Sequence, residues 1–248
     1  MHQLWVIAKK DIRESFRSRS TYIYIVFLFL LTFSTYSTYS ILINQTAAGN
    51  PSQKVLIETS RLFLNNITYT LPMWYAILIC TIFATYSVVV EKAKRNIESL
   101  MATPVSLNKI WMGKTLAVTL PSVVIALAVS VVAFIIMNVV LVIPRTGSFV
   151  MPGTTAILSA LILVPLLIFA VTSLVIYMQL IISNPRIANF AFTAVFLLFF
   201  FGSSFLTGRG FIVDFSLIYL GLIIICGAVA YLLSRTLTKE KVLLSSKE

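Results

Sequence analysis

Long apolar stretches separated by short polar ones dominate the pattern of this chain. Within the stretches apolar residues run continuously, without the strict alternation of a membrane β-strand. Each stretch is close to or longer than the ~20 residues with which a helix crosses a bilayer. Because backbone groups in lipid must be paired within helices or closed barrels, we predict one membrane-spanning helix for each stretch. The six stretches without Lys, Arg, Asp or Glu in their interiors are 21–43, 70–90, 116–143, 155–182, 187–206 and 212–233.

The overall composition supports this interpretation. Of the 248 residues, 59% are hydrophobic and 11% are charged, whereas soluble domains carry roughly 25% charged residues. We therefore predict an all-α polytopic membrane protein that forms a single transmembrane domain over residues 1–248.

Positive charges concentrate on one side of the predicted spans. Fifteen of the 19 Lys and Arg residues lie in residues 1–20, in residues 91–115, at Arg186 and from Arg235 onward. This distribution follows the positive-inside rule and predicts a cell-membrane protein with both termini in the cytoplasm. The net charge of +11 then reflects topology and attraction to anionic membrane lipids, and we do not expect nucleic acid as a partner. The basic residues on the other side are Lys54, Arg61, Arg145 and Arg209.

Local features are also predicted from polar residues, proline and tryptophan. The longest interval on the outer side, residues 44–69, is predicted as a loop, with a short interfacial helix around Ile57–Leu64 as the alternative. Pro165, in the middle of the fourth block, predicts a kink because proline removes a helical hydrogen bond and its ring clashes with the preceding turn. Three tryptophans lie at predicted span edges, where tryptophan side chains form aromatic belts in membrane proteins. They are Trp5, Trp74 and Trp111.

Residues 3–20 predict a separate amphipathic helix before the first span. Apolar side chains recur there at every fourth position, and basic side chains fall on another face. A helix of this kind is suited to lying in the membrane interface. A solvated arm beside the membrane is the alternative. The apolar positions are Leu4, Ala8, Ile12 and Phe16, and the basic positions are Lys10, Arg13 and Arg17.

Residues 91–114, which we call the elbow, form a charged segment between the second and third spans. Residues 91–103 predict a helix, and Pro104 ends it because the residue before a proline is biased away from the helical conformation. A second helix is predicted to begin at Ser106 and to run into the third span. The elbow therefore resembles a helix–turn–helix on the cytoplasmic side of the membrane.

The first helix of the elbow has a small apolar face made by Ile97, Leu100 and Met101. The other cytoplasmic segments are short, so nothing obvious in this chain covers that face. Docking to another protein is the interpretation that we prefer, and lying on lipid headgroups is the alternative.

The run Gly113-Lys114-Thr115 has the ending of a nucleotide-binding Walker A loop. That loop requires a glycine five positions before Gly113, where this chain has Asn108. A membrane span follows at once, and no segment has the length of a nucleotide-binding domain. We therefore expect no catalytic residue, metal or bound cofactor in this chain, and we expect ATP hydrolysis on a separate polypeptide.

The elbow also carries a family resemblance. Glu91 ends the second apolar block, Ile97-Glu98 and Leu100 follow, Thr103 to Ser106 read T-P-V-S, and Gly113-Lys114 closes the run. This order resembles the ABC-2 type permeases, the transmembrane subunits of ABC transporters similar to type V exporters, over the whole of 91–114. Arg95 and Asn96 stand where the family usually has Gly-Thr. The amphipathic N-terminal helix and six predicted spans fit the same layout.

The resemblance implies a partner for the elbow. In the family the corresponding segment is a coupling helix that sits in a groove of an ABC ATPase subunit, which binds ATP and Mg²⁺. It also implies pairing with a second permease copy or a paralogue around one path. The candidate contact residues on the coupling helix are Glu91, Arg95, Ile97, Glu98, Leu100, Met101, Thr103 and Pro104.

The same resemblance places the path and outer gate near the phenylalanine-rich fifth span, although lipid-facing filler accounts for these residues equally well. It implies export of a lipid, drug-like molecule or other amphiphile. An assembly or regulatory protein that binds an ATPase without transport, and a glycan or ion exporter, stay open as alternatives. The span interiors lack ionisable residues, which disfavours ion-coupled transport. The candidate path residues are Phe196, Phe200, Gly202, Ser203 and Ser204.

The charge distribution gives a direct test of topology. In a background with both native cysteines replaced by alanine, we expect Arg209→Cys to react with an impermeant maleimide added outside cells. Arg95→Cys should react only after the membrane is permeabilised. The opposite labelling pattern would show that the termini face outward.

Overall fold

A computed structural model describes residues 2–17, 52–94, 105–182 and 215–235 of the protein, together with isolated positions within 26–44 and 190–197 and residue 242. The described part is helical, which confirms the predicted all-α class. Helix α1 spans His2–Arg17. The longer helices that follow it are α2 (Gln53–Lys92), α3 (Leu107–Thr146), α4 (Thr154–Ile181) and α5 (Phe215–Ser234).

Helices α2 to α5 are long and apolar enough to cross a membrane, with 40, 40, 28 and 20 residues against the ~20 that crossing requires. They correspond to the predicted second, third, fourth and sixth spans. The predicted first span, 21–43, and fifth span, 187–206, lie mostly outside the residues that the structure describes. The count of six spans therefore stays a prediction.

The predicted outer loop over 44–69 is wrong from Gln53 onward, because these residues form the first turns of α2. Leu64 and Ile67 are buried against the bundle, whereas Lys54 and Glu58 are exposed. This one-sided burial is the pattern of an amphipathic helix. The charged residues lower the local hydropathy, which is why apolar length alone predicts a loop for this segment.

Helices α2 and α3 run antiparallel. Gln53 Nε2, at the start of α2, donates to the Thr146 carbonyl at the end of α3, 3.1 Å away. At the other end, Glu91 and Lys114 are in contact. Both helices have 40 residues and are therefore about 60 Å long at 1.5 Å per residue. Each is longer than the ~30 Å thickness of the hydrocarbon core of a bilayer.

Each of the three longest helices contains one π-helical turn, at Thr85–Val89, Asn138–Val142 and Ser159–Leu163. The last of these directly precedes Pro165, where a kink is predicted. Pro165 cannot donate to the preceding turn, and its ring requires space there. A widened turn supplies that space, so the regular helix is interrupted just before the proline.

The structure defines both ends of the elbow. The helix that contains Glu91 is α2 itself, because the helical turns run without a break through Val89 and Val90 to Glu91. It is not a separate helix that begins at residue 91, and residues 95–104 lie outside the described part. Ser106 is the N-cap of α3, as predicted, and its carbonyl accepts from the Lys109 and Ile110 N–H groups at 3.0 and 3.2 Å.

Polar side chains in the spans bond across helices. Tyr69 of α2 donates to Thr155 Oγ1 of α4 at 3.1 Å, and Tyr219 of α5 donates to the Tyr69 carbonyl at 2.9 Å. Thr172 of α4 bonds to Cys80 Sγ of α2 at 3.6 Å. These contacts join α2, α4 and α5, as hydrogen bonds between membrane helices commonly do.

Between α3 and α4 the chain folds back along α3. Gly147, at φ +70°, provides the left-handed conformation that reverses the chain. Val150 N then donates to Asn138 Oδ1 at 3.1 Å, and Asn138 is fully buried. The amide of Asn138 therefore fixes the returning segment against the helix that it leaves.

Replacing Asn138 by leucine should lower the thermal stability of the purified protein. The Val150 N–H would lose its acceptor in a buried environment, at a cost of roughly 1–3 kcal/mol. Val139→Leu is the matched control, because Val139 is the next residue and its side chain is 53% exposed. Equal unfolding midpoints for the two variants in detergent would contradict the assigned role of Asn138.

Candidate functional site

A buried ammonium group lies where α1, α2 and α3 meet. It belongs to Lys114, about two turns into α3, which is 0% exposed. Its Nζ atom is 3.1 Å from Asp11 Oδ2 on α1 and 2.6 Å from Glu91 Oε2 at the end of α2. It also donates to the main-chain carbonyl of Ser87. An ammonium has three N–H donors, so these three acceptors use all of them.

Further contacts complete this group, which we call the Lys114 cluster (Lys10, Asp11, Ser87, Glu91 and Lys114). Ser87 Oγ donates to Asp11 Oδ2 at 2.7 Å. Lys10 Nζ lies 3.4 Å from Glu91 Oε1, so both oxygens of Glu91 are bound within the chain. With two ammonium and two carboxylate groups, the cluster is formally neutral.

The local backbone explains how the cluster forms. Ser87 lies within the π-helical turn of α2, where Val90 N donates to the Thr85 carbonyl five residues earlier. From that turn Ser87 offers its hydroxyl to α1 and its carbonyl to α3. On α1, Ala8 and Asp11 lie one turn apart and both are buried, so the face of α1 that carries them packs against the bundle.

Aromatic packing holds α1 in the same orientation. The rings of Phe16 on α1 and Phe83 on α2 have centroids 5.5 Å apart. Trp5 of α1, by contrast, is 58% exposed. Helix α1 therefore packs Phe16 against α2 and leaves Trp5 exposed.

Lys10 lies at the exposed edge of the cluster. Burial lowers its pKa, but the carboxylates of Glu91, Glu14 and Asp11 and the hydrogen bond to Glu91 outweigh burial, so its pKa is raised above 10.5. A raised pKa means that the cationic form is stabilised in the folded state. This contribution is complete below pH 10.5 and is lost as the pH rises through the pKa of the folded state, so Lys10 is an ammonium at physiological pH.

Lys92, the residue after Glu91, contacts the end of a fourth helix, α4. Lys92 Nζ donates to the carbonyl of Ile182, the C-cap of α4, at 2.9 Å. The last carbonyls of a helix lack helical partners and carry partial negative charge, which a lysine stabilises. Two neighbouring residues at the end of α2 therefore contact α1, α3 and α4.

Trp111 is not part of an exposed aromatic belt, which corrects the prediction for this residue. It is buried, and its Nε1 donates to the Ser173 carbonyl of α4 at 2.8 Å. A buried tryptophan requires such a partner for its N–H. Trp111 therefore fastens the start of α3 to α4, close to the Lys114 cluster.

Of the predicted contact residues on the coupling helix, Glu91 lies in the described part of the chain. It is 6% exposed, and its carboxylate faces Lys114 and Lys10. The remaining predicted contact and path residues lie outside the described part. They are Arg95, Ile97, Glu98, Leu100, Met101, Thr103, Pro104, Phe196, Phe200, Gly202, Ser203 and Ser204.

Sequence reasoning selected Glu91 and Lys114 as the two ends of the elbow, and the structure brings them into contact. It missed Asp11. The available signal was its place on α1, three residues after Ala8 and on the edge of the apolar stripe. An acidic residue at such a position indicates a buried cationic partner.

The four long apolar helices of the described part are those of a multi-pass membrane protein. The family model described as ABC-2 family transporter protein matches residues 5–213, most of the chain. The chain therefore belongs to the ABC-2 family of transporter proteins. Its members are membrane subunits of ABC transporters that are not catalytic themselves and generally pair with an ABC ATPase. No curated protein and no solved structure matched the chain.

Replacing Lys114 by methionine should strongly destabilise the protein. Asp11 and Glu91 would keep their buried carboxylates without the central cation, and losing one partner of a buried ion pair costs roughly 3–5 kcal/mol. The unfolding midpoint in detergent measures this effect. Lys109→Met is the matched control on the same helix, because Lys109 is exposed and a surface substitution usually changes stability by about 0.5 kcal/mol or less.

A second variant separates charge from packing. Adding Asp11→Asn and Glu91→Gln to Lys114→Met removes the unpaired charges, and it should recover part of the lost stability. A Lys114→Met protein as stable as Lys109→Met, or no recovery in the triple variant, would contradict an electrostatic role for the cluster.

Proposed function

We propose that this chain is the membrane permease of an ATP-driven exporter and that the elbow receives the movement of a separate ATPase subunit. Membership of the ABC-2 family supports the first part. The observation that carries the second part is the contact between Glu91 and Lys114, the first and last residues of the elbow, at 2.6 Å. A buried ion pair therefore joins the two ends of the elbow, and we call this pair the base of the elbow.

The base of the elbow is also attached to its neighbours. Asp11 joins it to α1, and Lys92 joins it to the end of α4. A force on the elbow would therefore act on four helices together. Long helices transmit such a displacement along their axes, which gives a physical route from an ATPase to the far side of the membrane.

The direction and partners of this mechanism follow from charge and family. The basic residues of the elbow and α1 favour the cytoplasm for this end and for both termini. An ABC ATPase with ATP and Mg²⁺ would dock there, and a second permease copy or a paralogue would complete the path. Closure of the ATPase would open the path outward for a lipid, drug-like molecule or other amphiphile.

Within the elbow we assign two roles. The segment 95–104 provides the docking surface, with the apolar residues Ile97, Leu100 and Met101 at its centre. Glu91 anchors this surface through Lys114 and Lys10. In this proposal Glu91 supports the residues that contact the ATPase and does not contact the ATPase directly.

Replacing Glu98 and Leu100 together by alanine should disrupt the complex with the ATPase. The variant removes one charged and one apolar contact from the proposed docking surface, and it leaves the Lys114 cluster intact. The measurement is co-purification with candidate ABC ATPases of the same genome, beginning with any encoded in a neighbouring reading frame. We expect at least a several-fold loss of bound ATPase.

Lys54→Ala is the control for this experiment, because Lys54 is exposed near the start of α2, at the end remote from the elbow. Unchanged recovery of the ATPase with the double variant would contradict the docking surface. Complex formation without cargo-stimulated ATP hydrolysis in vesicles would instead favour an assembly or regulatory protein.

A further inference from the structure

An apolar groove of about 220 Å³ opens on the side of the bundle between α3 and α4, with α2 behind it. Its floor is buried: Leu71 of α2 is 1% exposed and Ala160 of α4 is 5% exposed. Its rim is open, because Val131, Met151 and Leu161 are each more than half exposed. The groove therefore faces sideways from the bundle.

The depth of the groove follows from positions along α3. Leu127 and Phe134 line the groove, and they follow Lys114 by 13 and 20 residues, or about 20 and 30 Å at 1.5 Å per residue. Because charged groups are costly within the hydrocarbon core, which is ~30 Å thick, we place the Lys114 cluster near one membrane interface. The groove thus lies in the leaflet opposite the cluster, at the depth of its acyl chains.

The lining offers carbon atoms and no available polar side chain among the residues that form it. The hydroxyl groups of Ser130 and Thr68 donate to carbonyls of their own helices, Ala126 and Leu64, at 2.7 and 2.8 Å. The groove accordingly suits an apolar chain rather than a headgroup or a charged molecule. In the opposite leaflet, the abundant ligand of that chemistry is the acyl chain of a phospholipid.

Hydrogen bonds hold the segment at one end of the groove in place. Met151 and Pro152 cover one end, and the residues on either side of them are anchored. Val150 N donates to Asn138 Oδ1, and Gly153 N donates to Asn65 Oδ1. On the α4 side the groove is lined by Ala160 and Leu161, which belong to the π-helical turn.

We propose that this groove binds one acyl chain of a phospholipid from the leaflet opposite the Lys114 cluster. A chain in the groove contacts α2, α3 and α4 at once, whereas a lipid on a convex helix surface contacts the protein on one side. Protein atoms on three sides give a larger dispersion contact, so this lipid should exchange more slowly than its neighbours. The proposal is independent of the function proposed for the elbow.

The test uses the full chain in phosphatidylcholine vesicles that contain a trace of phosphatidylcholine with a diazirine in the middle of one acyl chain. After illumination, mass spectrometry should locate adducts mainly on residues 127–134 and 151–161. Helix α5 is the internal reference, because Leu217 and Ile224 are 71% and 68% exposed. We expect several-fold more adducts per exposed apolar residue in the groove than on α5.

Filling the groove should remove this preference. Ala160→Phe extends a ring from the floor, and the adducts in the groove should fall several-fold while those on α5 stay constant. Ile162→Phe is the matched control, because Ile162 lies two residues away in the same turn, is 53% exposed and does not line the groove. If Ala160→Phe fails to fold, Ser130→Leu narrows the groove from α3 and provides the same comparison.

Two results would overturn the proposal. One is an equal density of adducts in the groove and on α5 that neither filling variant changes, which would identify an ordinary lipid-facing surface. The other is loss of the groove adducts when a transported amphiphile is added, with no phospholipid retained by the purified protein in native mass spectrometry. That result would assign the groove to cargo.

Discussion

The ammonium group of Lys114 constrains the rest of the structure because it is fully buried and has three acceptors on two other helices. Removing a charge from water is costly unless its partners are close and all its donors are used. Moving α1 or α2 away would leave that ammonium, or a buried carboxylate, without its partner. The ends of three helices are thereby held to one another, and the base of the elbow is held with them.

The two ends of the bundle are stabilised by different interactions. At the Lys114 end the buried contacts of Lys114 with Asp11 and Glu91 join full charges, and removing one partner costs roughly 3–5 kcal/mol. At the other end the described contacts of α2 with the end of α3 and with the segment after it include neutral ones, such as Gln53 to the Thr146 carbonyl and the Gly153 N–H to Asn65. Such hydrogen bonds contribute about 0.5–1.5 kcal/mol each. Separating the helices should therefore cost less free energy at the neutral end than at the Lys114 end.

The sequence was sufficient for the helical class and for Glu91 and Lys114 as the ends of the elbow, because apolar length and a linear motif are local signals, but it did not predict that these two residues are in contact. It was not sufficient for Asp11, whose partner lies 103 residues away along the chain and depends on how α1 packs. The start of α2 was missed for a related reason. Lys54 and Glu58 reduce the local hydropathy, and only the buried positions on the opposite face reveal the helix.

The charged cluster also fixes the register of the helices, which apolar packing in a membrane does not. Because lipid tails are as apolar as leucine side chains, the hydrophobic effect does not select one helix register over another. A shift of α3 by one turn, about 5.4 Å, would keep most apolar contacts, but it would separate Lys114 from Asp11 and Glu91. The cluster contributes less through net stability, which buried ion pairs often do not increase, than through the single register that it permits. A single register is what an elbow requires if its displacement is to produce the same movement of the helices each time.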